Sequence, residues 1–326
     1  MESAARRLYA LGFCAFTVPA VLLLPRAGWL WAGAASAGCA LFLGALIVLR
    51  RRCGHGVAEV AGRTVFGRVC LLPALLWNLL ALGATARQLC AAYPTGTPYP
   101  LVGLLLLVLA AYAARRGEAV VLRAAAVVFF ALVVFYALIL GFSVPKLHFA
   151  WLAPQTRVDW RLLPSVLCPA VALYLGGAET KGKPLPWLIL SAAFAALCAA
   201  VAAGSLSPAV AASEPFPFYT AAKSVSVLGA MERLEPLVSA ALTAGGFCLL
   251  ALLCAANGRI VAAFLPRAEK CSALLNLALG GGAVWLSGVL PPGVTAAGTA
   301  IFWGILPLFA LLVGSRKNFE KNEKKC

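Results

Sequence analysis

Acidic and metal-binding side chains are scarce in this chain. Its 326 residues include 11 Asp and Glu, of which Asp159 is the single aspartate, and 2 His, His55 and His148. The 11 Cys are scattered singly and never form a C-x-x-C pair. Structural zinc sites need closely spaced Cys and His, and acid–base catalysis needs clustered titratable groups. We therefore expect no metal, no cofactor and no enzymatic activity, with the cysteines acting as small buried side chains.

Charge of either sign is also rare, and apolar residues dominate. Only 12% of the residues are charged, whereas 63% are hydrophobic. Soluble domains have about 25% charged and 45–50% apolar residues, so a water-soluble core could not bury this much apolar surface. In a bilayer, only helices and closed barrels satisfy the backbone polar groups. Long Leu, Ala and Val runs without polar alternation favour helices. The composition therefore predicts an all-α integral membrane protein.

The apolar runs predict ten transmembrane helices in one domain over residues 1–314, followed by a basic tail over 315–326. The predicted spans are 5–24, 28–49, 68–91, 99–114, 118–142, 161–178, 187–206, 236–257, 272–290 and 295–314. Span 1 follows Arg6 and Arg7 in the manner of a signal peptide, but no cleavage site follows it, so we expect it to be retained. The stretch before span 8, roughly 207–235, predicts a re-entrant or interfacial helix.

The distribution of positive charge indicates the orientation. With the N terminus in the cytoplasm, most of the 27 Lys and Arg fall in segments on the cytoplasmic side. Both termini are then cytoplasmic, and the net charge of +16 reports topology. No basic domain with interleaved aromatic residues is present, so we expect no nucleic-acid partner. The tail "SRKNFEKNEKK" leaves two interpretations open, contact with anionic membrane lipid or a solvated tail.

Five charged residues lie in or beside the predicted spans, where a charge is costly. Arg87 either reaches the outer interface or forms an outer gate, with Glu232 or Glu235 as its partner. Arg123 either reaches the inner interface or points into the bundle as a fixed cation. Glu179 closes span 6 as an interfacial carboxylate beside lysines. Glu232 and Glu235 precede or begin span 8, where carboxylates complement the helix dipole.

Polar side chains and helix breaks mark a candidate site. Four polar residues fall near the middle of their spans: Thr17, Asn78, Tyr174 and Thr243. Span 1 contains Pro19, and span 6 contains Pro164 and Pro169 before it stops at Gly176-Gly177. Broken helices in corresponding positions of two halves are typical of inverted-repeat transporters, in which the breaks hold the substrate. Gly177, Gly182 and Lys183 match the spacing of a phosphate loop, but Pro184 replaces its Ser or Thr, so we reject that interpretation.

Four stretches carry a resemblance to a known family. They are "ARQLCAAYPTGTPYP", "RRGEAVVLRAAAVVFFALVV", "HFAWLAPQTRVDWRLLPSVLCPAVALYLGGAE" and "PFPFYTAAKSVSVLGAMERLEPLVSAALTAGGF". In order and spacing, from about Leu8 to Phe264, the chain resembles the endospore germination permease family. Members of that family are B subunits of nutrient germinant receptors, within the amino acid–polyamine–organocation transporter superfamily.

The resemblance implies ten helices in the five-plus-five inverted-repeat (LeuT-like) fold. It implies a site for an amino acid or similar small polar metabolite between broken helices 1 and 6, flanked by helices 3 and 8. The candidate binding residues are then Thr17, Asn78, Tyr174, Gly176, Gly177 and Thr243. The implied partners are an A-type membrane subunit and a C-type lipoprotein, and the implied location is the bacterial inner membrane, in particular that of the spore.

The chain departs from the family pattern after Glu179. "TKGKPLP" follows at once, and its prolines exclude a regular helix interior, so the inner half of span 6 is expected to be short. Three functions stay open: a receptor subunit, an amino-acid transporter in which Arg123 replaces a coupling sodium, and a degenerate structural subunit.

Overall fold

Helices account for every regular element that the structure describes. The computed structural model covers residues 2–92, 99–152, 163–176, 184–224 and 235–323. Its α-helices are α1 Glu2–Leu22, α2 Trp29–Cys53, α3 Val57–Gly62, α4 Val65–Ala92, α5 Tyr99–Arg115, α6 Glu118–Ser143, α7 Leu185–Leu206, α8 Pro208–Ser213, α9 Pro217–Lys223, α10 Glu235–Phe264, α11 Ser272–Leu286, α12 Pro292–Thr299 and α13 Leu306–Glu323. Short 3₁₀ turns occupy Leu24–Ala27, Val144–Lys146, Phe149–Leu152 and Pro266–Cys271.

Six helical stretches in these ranges are long and apolar enough to cross a membrane. They are Trp29–Cys53, Val65–Ala92, Glu118–Lys146, Leu185–Leu206, Pro236–Phe264 and Pro292–Ser315. These stretches overlap predicted spans 2, 3, 5, 7, 8 and 10, so the prediction of an all-α, multi-pass membrane protein is confirmed. Helices also occupy predicted spans 1, 4, 6 and 9, but they fall outside this set of six. That they cross the membrane stays a prediction.

Two predicted boundaries differ from the structure. The final helix, α13, continues past residue 314 to Glu323, so the predicted tail begins inside a helix. The reason is local, because Ser315 to Glu323 contains no Gly or Pro that would stop the helix. Before span 8, residues 225–234 lie outside the described residues. The helix predicted within 214–235 begins at Pro217 and is described as far as Lys223, and a separate short helix, Pro208–Ser213, precedes it. Pro215 and Pro217 separate them, since proline cannot continue a preceding helix.

Helix α10 lies at the centre of the bundle. It packs against α1, α4, α5 and α6, and 67% of its most apolar 18-residue stretch is buried within the protein. Gly245 and Gly246 allow the close approach, because a Cβ added there would lie 2.4 Å from Thr17 Oγ1 and 2.5 Å from Leu89 Cδ1, respectively. Small residues serve this purpose in membrane bundles, where packing replaces the hydrophobic effect between helices.

Two segments depart from α-helical geometry, and they touch each other. Residues Leu163–Tyr174 form a 12-residue 3₁₀ helix, hereafter the 3₁₀ segment, and Ala300–Ile305 form a π-helical turn, hereafter the π segment, between α12 and α13. Runs of 3₁₀ helix longer than 3–4 residues are uncommon, and π turns often mark functional sites. Pro169 lies inside the 3₁₀ segment and has no N–H to donate, which weakens α-helical bonding there.

The two ends of the bundle differ in chemistry. One end, hereafter the basic end, carries the C termini of α2 and α10, the N termini of α4 and α6, and the end of the 3₁₀ segment. Arg50 of α2 reaches Leu175, and Arg259 of α10 reaches Glu118 of α6, which brings these termini together. The other end carries the turn after α1, the C terminus of α4 and the start of α12, which meet around the cavity described below.

Candidate ligand-binding site

A cavity of about 480 Å³ opens at the end of the bundle opposite the basic end. Its walls come from α1, α4, the 3₁₀ segment, α10, the end of α11 and its following turn, α12 and the π segment. Small-molecule sites commonly have volumes of about 300–1,000 Å³ and lie between helices in bundles. The cavity is therefore large enough to hold a small metabolite.

Hydroxyl groups line much of this cavity, and their hydrogen bonds determine what they can offer a ligand. Four of them donate their proton to a carbonyl three or four residues earlier in the chain: Thr85 to Ala81 at 2.8 Å, Ser287 to Val284 at 3.0 Å, Thr295 to Pro292 at 2.7 Å and Thr299 to Thr295 at 2.8 Å. A hydroxyl has one donor and two acceptor positions. These four oxygens therefore present acceptors, which suit the N–H or O–H groups of a ligand.

Aromatic side chains form the inner wall. Trp77 stacks against Phe302 of the π segment, with 6.0 Å between the ring centroids and 29° between the ring planes. Trp303 of the same segment donates through Nε1 to Asn78 Oδ1 at 2.8 Å. Both tryptophans line the cavity, and the Trp77 Nε1 atom is buried without a hydrogen-bond partner among the described residues. Other atoms of the Trp77 ring therefore form the cavity wall.

Charge in the cavity has one sign. Arg26 is exposed where the lining begins, and Gln88 adds a neutral donor and acceptor nearby. Among the described residues that line the cavity, none is a carboxylate. An arginine suits a carboxylate through paired N–H donors, whereas the hydroxyl oxygens suit an ammonium. The cavity can therefore hold a small molecule that carries both groups.

Three of the polar residues predicted from the sequence are engaged within the bundle. Thr17 is fully buried and donates to Cys14 O at 2.7 Å, and Thr243 donates to Ser239 O at 2.7 Å. Neither residue lines the cavity. Asn78 lies one step behind its wall, where it accepts the bond from Trp303. Asn78 thus supports the cavity wall through Trp303, whereas Thr17 and Thr243 bond within their own helices.

The predicted break in span 6 lies at the basic end, away from the cavity. Tyr174 is fully buried, and its hydroxyl donates to Phe302 O at 2.5 Å. Gly176 lies against charged side chains, because a Cβ added there would be 2.8 Å from Glu59 Oε1 and 3.2 Å from Arg259 Cζ. Gly177, Glu179 and Glu232 lie outside the described residues, and the side chain of Glu235 does too.

The two arginines predicted within spans both lie at the surface. Arg87 is exposed, and its guanidinium lies over Gly288, where an added Cβ would be 1.2 Å from the nearer nitrogen. Arg123 is exposed and donates from Nε to Ala119 O at 3.1 Å, on its own helix. Of the two interpretations left open by the sequence, the structure places Arg123 on the outside of the bundle. An arginine there is not a cation between helices 1, 5 and 8.

A cluster of charged side chains lies at the basic end. Arg50 is only 3% exposed and donates to Ala172 O at 3.1 Å and Leu175 O at 2.8 Å, so it satisfies carbonyls at the end of the 3₁₀ segment. Glu118 accepts two bonds from Arg259, at 3.1 and 2.7 Å. These contacts tie α2, α6 and α10 to the point where the 3₁₀ segment ends.

A second chain of contacts extends this cluster to the surface. Glu59 of α3 pairs with His55 Nδ1 at 3.1 Å, and Arg63 meets His55 Nε2 at 2.7 Å. An arginine can only donate, so in this arrangement Nε2 accepts and Nδ1 carries the proton shared with Glu59. Because Gly176 has no side chain, the backbone of the 3₁₀ segment can come close to Glu59 and Arg259. Side chains from α3 and α10 therefore lie beside the residues that follow the 3₁₀ segment.

The sequence analysis missed most of the cavity lining, although a signal was present. One face of α4 carries lining residues at helical spacing, namely Trp77, Ala81, Thr85 and Gln88. The same spacing occurs across α12 and the π segment, at Thr295, Thr299 and Trp303. Polar residues on one face of an apolar helix indicate a face turned away from lipid. Arg50, Glu118 and Arg259 carried no comparable signal, because charges near helix ends also serve topology.

The fold defines the class of this protein as an all-α, multi-pass membrane protein with a polar cavity between its helices. No protein-family model matches the chain, and no curated protein matches it either.

Proposed function

We propose that the protein is a permease-like ligand-binding subunit, of the kind that the B subunit of a nutrient germinant receptor represents. The observation that supports this most is the cavity of about 480 Å³ with a hydroxyl-rich, aromatic-walled lining. We infer binding without chemistry on the ligand, because the lining offers hydrogen bonds and one cation. The resemblance in the sequence motivates the receptor assignment.

The proposed architecture has ten membrane crossings in two inverted repeats of five. The first repeat comprises α1, α2, α4, α5 and α6. The second comprises the 3₁₀ segment, α7, α10, α11 and the continuous stretch from α12 to α13. In this count the cavity is lined by crossings 1, 3, 6, 8 and 10, with one contribution from the end of crossing 9. Sites between crossings 1 and 6 are expected for a fold of this type.

The proposed ligand is an amino acid or a similar small polar metabolite. Arg26 would receive the carboxylate, and the hydroxyl oxygens of Thr85 and Thr299 would receive the ammonium. Compared with the site predicted from the sequence, this places the ligand on α4 and α12, and further from the break at Gly176.

The position of the charged cluster, at the end of the bundle opposite the cavity, supports a conformational role. The cavity opens at one end, while the cluster of Arg50, Glu59, Glu118 and Arg259 packs the other. A ligand that binds this arrangement more tightly than another shifts the equilibrium between them. We propose that the shift is passed to an A-type membrane subunit and a C-type lipoprotein in the spore inner membrane.

Ligand binding to the cavity can be tested directly. Ala84 lines the cavity, so Ala84→Phe should fill part of it, whereas Ala209→Phe adds the same ring at an exposed position on α8. The standard amino acids are added one at a time to purified protein, and the thermal unfolding midpoint is measured. We expect at least one to raise the midpoint of the native protein and of Ala209→Phe, and not that of Ala84→Phe. No shift with any amino acid, or an equal shift in Ala84→Phe, contradicts the proposal.

A transporter of the same superfamily is the second candidate. It is favoured by the arrangement of an open cavity at one end and a charge cluster, built from reversible contacts, at the other. Uptake of the stabilising amino acid into proteoliposomes distinguishes the two, since sustained flux supports transport and binding without flux supports the receptor. A degenerate structural subunit would show neither binding nor flux.

A further inference from the structure

A second opening, separate from the ligand cavity, lies at the basic end. It is a groove of about 320 Å³ between α3, the first turns of α4 and the stretch Leu306–Gly314 of α13, hereafter the lateral groove. The helix from Leu306 to Gly314 is about 12 Å long, so the groove runs that far from the basic end towards the middle of the bundle. Most of its lining is apolar, including Val60, Phe66 and Val313.

The lateral groove faces the side of the bundle. Phe66 is 69% exposed and Phe309 is 55% exposed, and both belong to helices that are apolar enough to cross a membrane. Large apolar side chains exposed on such helices contact lipid. Apolar atoms that line an unfilled groove have no atoms opposite them for dispersion contacts. Water in such a groove would find few hydrogen-bond partners. An acyl chain is the component of a bilayer that fits such a space.

Polar groups gather where the groove reaches the basic end. Arg63 is exposed there and uses guanidinium nitrogen Nη2 to contact His55 at 2.7 Å, which leaves other N–H donors free of that bond. Arg68 is also exposed, with Nε donating to Gly62 O at 2.7 Å. Arg63 lines the groove and gives its rim a positive charge, whereas Arg68 lies outside the lining. The nearby carboxylate, Glu59, is paired with His55 and does not line the groove.

The start of α4 adds a second feature that favours an anion. Thr64 caps this 28-residue helix, since the Gly67 amide donates to Thr64 Oγ1 at 3.1 Å. The first amides of a helix have no partner within it, and the helix dipole places partial positive charge there. Thr64, Phe66 and Gly67 all line the groove. A phosphate at the rim would meet the helix start and Arg63 together.

We infer that the lateral groove binds an anionic phospholipid from the leaflet at the basic end. One acyl chain lies between α4 and α13 against Phe66 and Val313. The phosphate group is bound by Arg63 and the start of α4. This site is separate from the ligand cavity and does not depend on the proposed receptor function.

The test uses the full-length protein purified in detergent, with native mass spectrometry to count the lipids that stay bound. Phosphatidylglycerol and phosphatidylcholine with identical acyl chains are compared at matched concentrations. We expect one molecule of phosphatidylglycerol to be retained in preference to phosphatidylcholine. Because a basic residue near a lipid surface contributes about a fivefold change in affinity, Arg63→Gln should weaken retention of phosphatidylglycerol by about that factor.

Two further variants distinguish lipid binding in the lateral groove from nonspecific attraction of anionic lipid to the basic end. Arg115→Gln removes an exposed arginine at the end of α5, outside the groove lining, and should leave retention unchanged. Val313→Trp fills the groove from a half-exposed position and should reduce retention of both lipids. The inference is overturned by equal retention of the two lipids, by equal losses in Arg63→Gln and Arg115→Gln, or by a protein dimer in place of bound lipid. Unchanged retention in Val313→Trp overturns it too.

Discussion

Arg50 lies at the end of an apolar helix, yet only 3% of its surface is exposed. Burying an arginine is costly unless its donors are satisfied, and here they meet the carbonyls of Ala172 and Leu175. The Leu175 carbonyl lies just beyond the 3₁₀ segment, and the Ala172 carbonyl also accepts from the Leu175 amide at 3.3 Å, so Arg50 adds side-chain donors where the helical bonding ends. Arg50 therefore caps a segment much later in the chain, since the two carbonyls lie 122 and 125 positions after it.

Replacing Arg50 should destabilise the protein more than replacing its neighbour. Arg50→Met removes the side-chain donors to two buried carbonyls, which should cost about 1–3 kcal/mol of unfolding free energy. Arg52→Met removes an equal charge from an exposed position on the same helix and should cost far less. Thermal unfolding midpoints in one detergent compare the two variants. Equal midpoints would show that Arg50 does not cap the 3₁₀ segment.

At the scale of the element, the 3₁₀ and π segments form a pair of irregular helices in contact. A π turn changes the i→i−4 bonding pattern, and the Tyr174 hydroxyl supplies a donor to one of its carbonyls, Phe302 O. The aromatic wall depends on this geometry, because Phe302 and Trp303 belong to the π segment and meet Trp77 and Asn78 of α4. The bond from Tyr174 thus holds one wall of the ligand cavity.

Removing that hydroxyl should loosen the π segment. Tyr174→Phe keeps the ring and deletes the bond, which should speed amide hydrogen exchange in residues 300–305 by about fivefold, equivalent to about 1 kcal/mol. Tyr112→Phe serves as the control, because the Tyr112 hydroxyl bonds to Arg116 on an exposed surface. Hydrogen exchange read by mass spectrometry reports both variants. Unchanged exchange in residues 300–305 of Tyr174→Phe contradicts a role for this bond.

At the scale of the whole molecule, the long apolar helices require a membrane, and the arginine-rich end predicts the cytoplasmic side. Arg50, Arg63, Arg68, Arg115 and Arg259 lie at or beside helix ends on the basic end. The opposite end carries the mouth of the ligand cavity. The predicted orientation therefore directs the cavity away from the cytoplasm.

Cysteine labelling can test this orientation. Cys271 is the exposed cysteine at the start of α11, among the described residues. In a Cys326→Ser background, a membrane-impermeant maleimide should label Cys271 in inverted vesicles and not in intact cells. In a background that also carries Cys271→Ser, Ser213→Cys, at the exposed end of α8, should show the reverse pattern. Labelling of both positions from the same side contradicts the predicted topology.

Much of the fold could be predicted because its signals are local and additive. The hydropathy that marks a span is summed over about 20 neighbouring residues, so it can be read from the sequence. Predicted span 28–49 therefore coincides with Trp29–Cys53, and predicted span 118–142 coincides with Glu118–Ser143. The 3₁₀ geometry of Leu163–Tyr174 was not predictable in the same way. Its prolines indicated a break, but its bonds to Arg50 and to the π segment join residues that are far apart in the chain.

The sequence by itself determined that this is an all-α membrane protein, because its apolar content leaves the bilayer as the only solvent for its surface. Only the tertiary structure decided where the cavity lies and which charges pack the basic end. Both depend on side chains far apart in the chain, such as Trp303 and Asn78, which are 225 positions apart, or Arg259 and Glu118, which are 141 apart. Helix periodicity gives the face of each residue, whereas the partner across that face is fixed by how the helices pack.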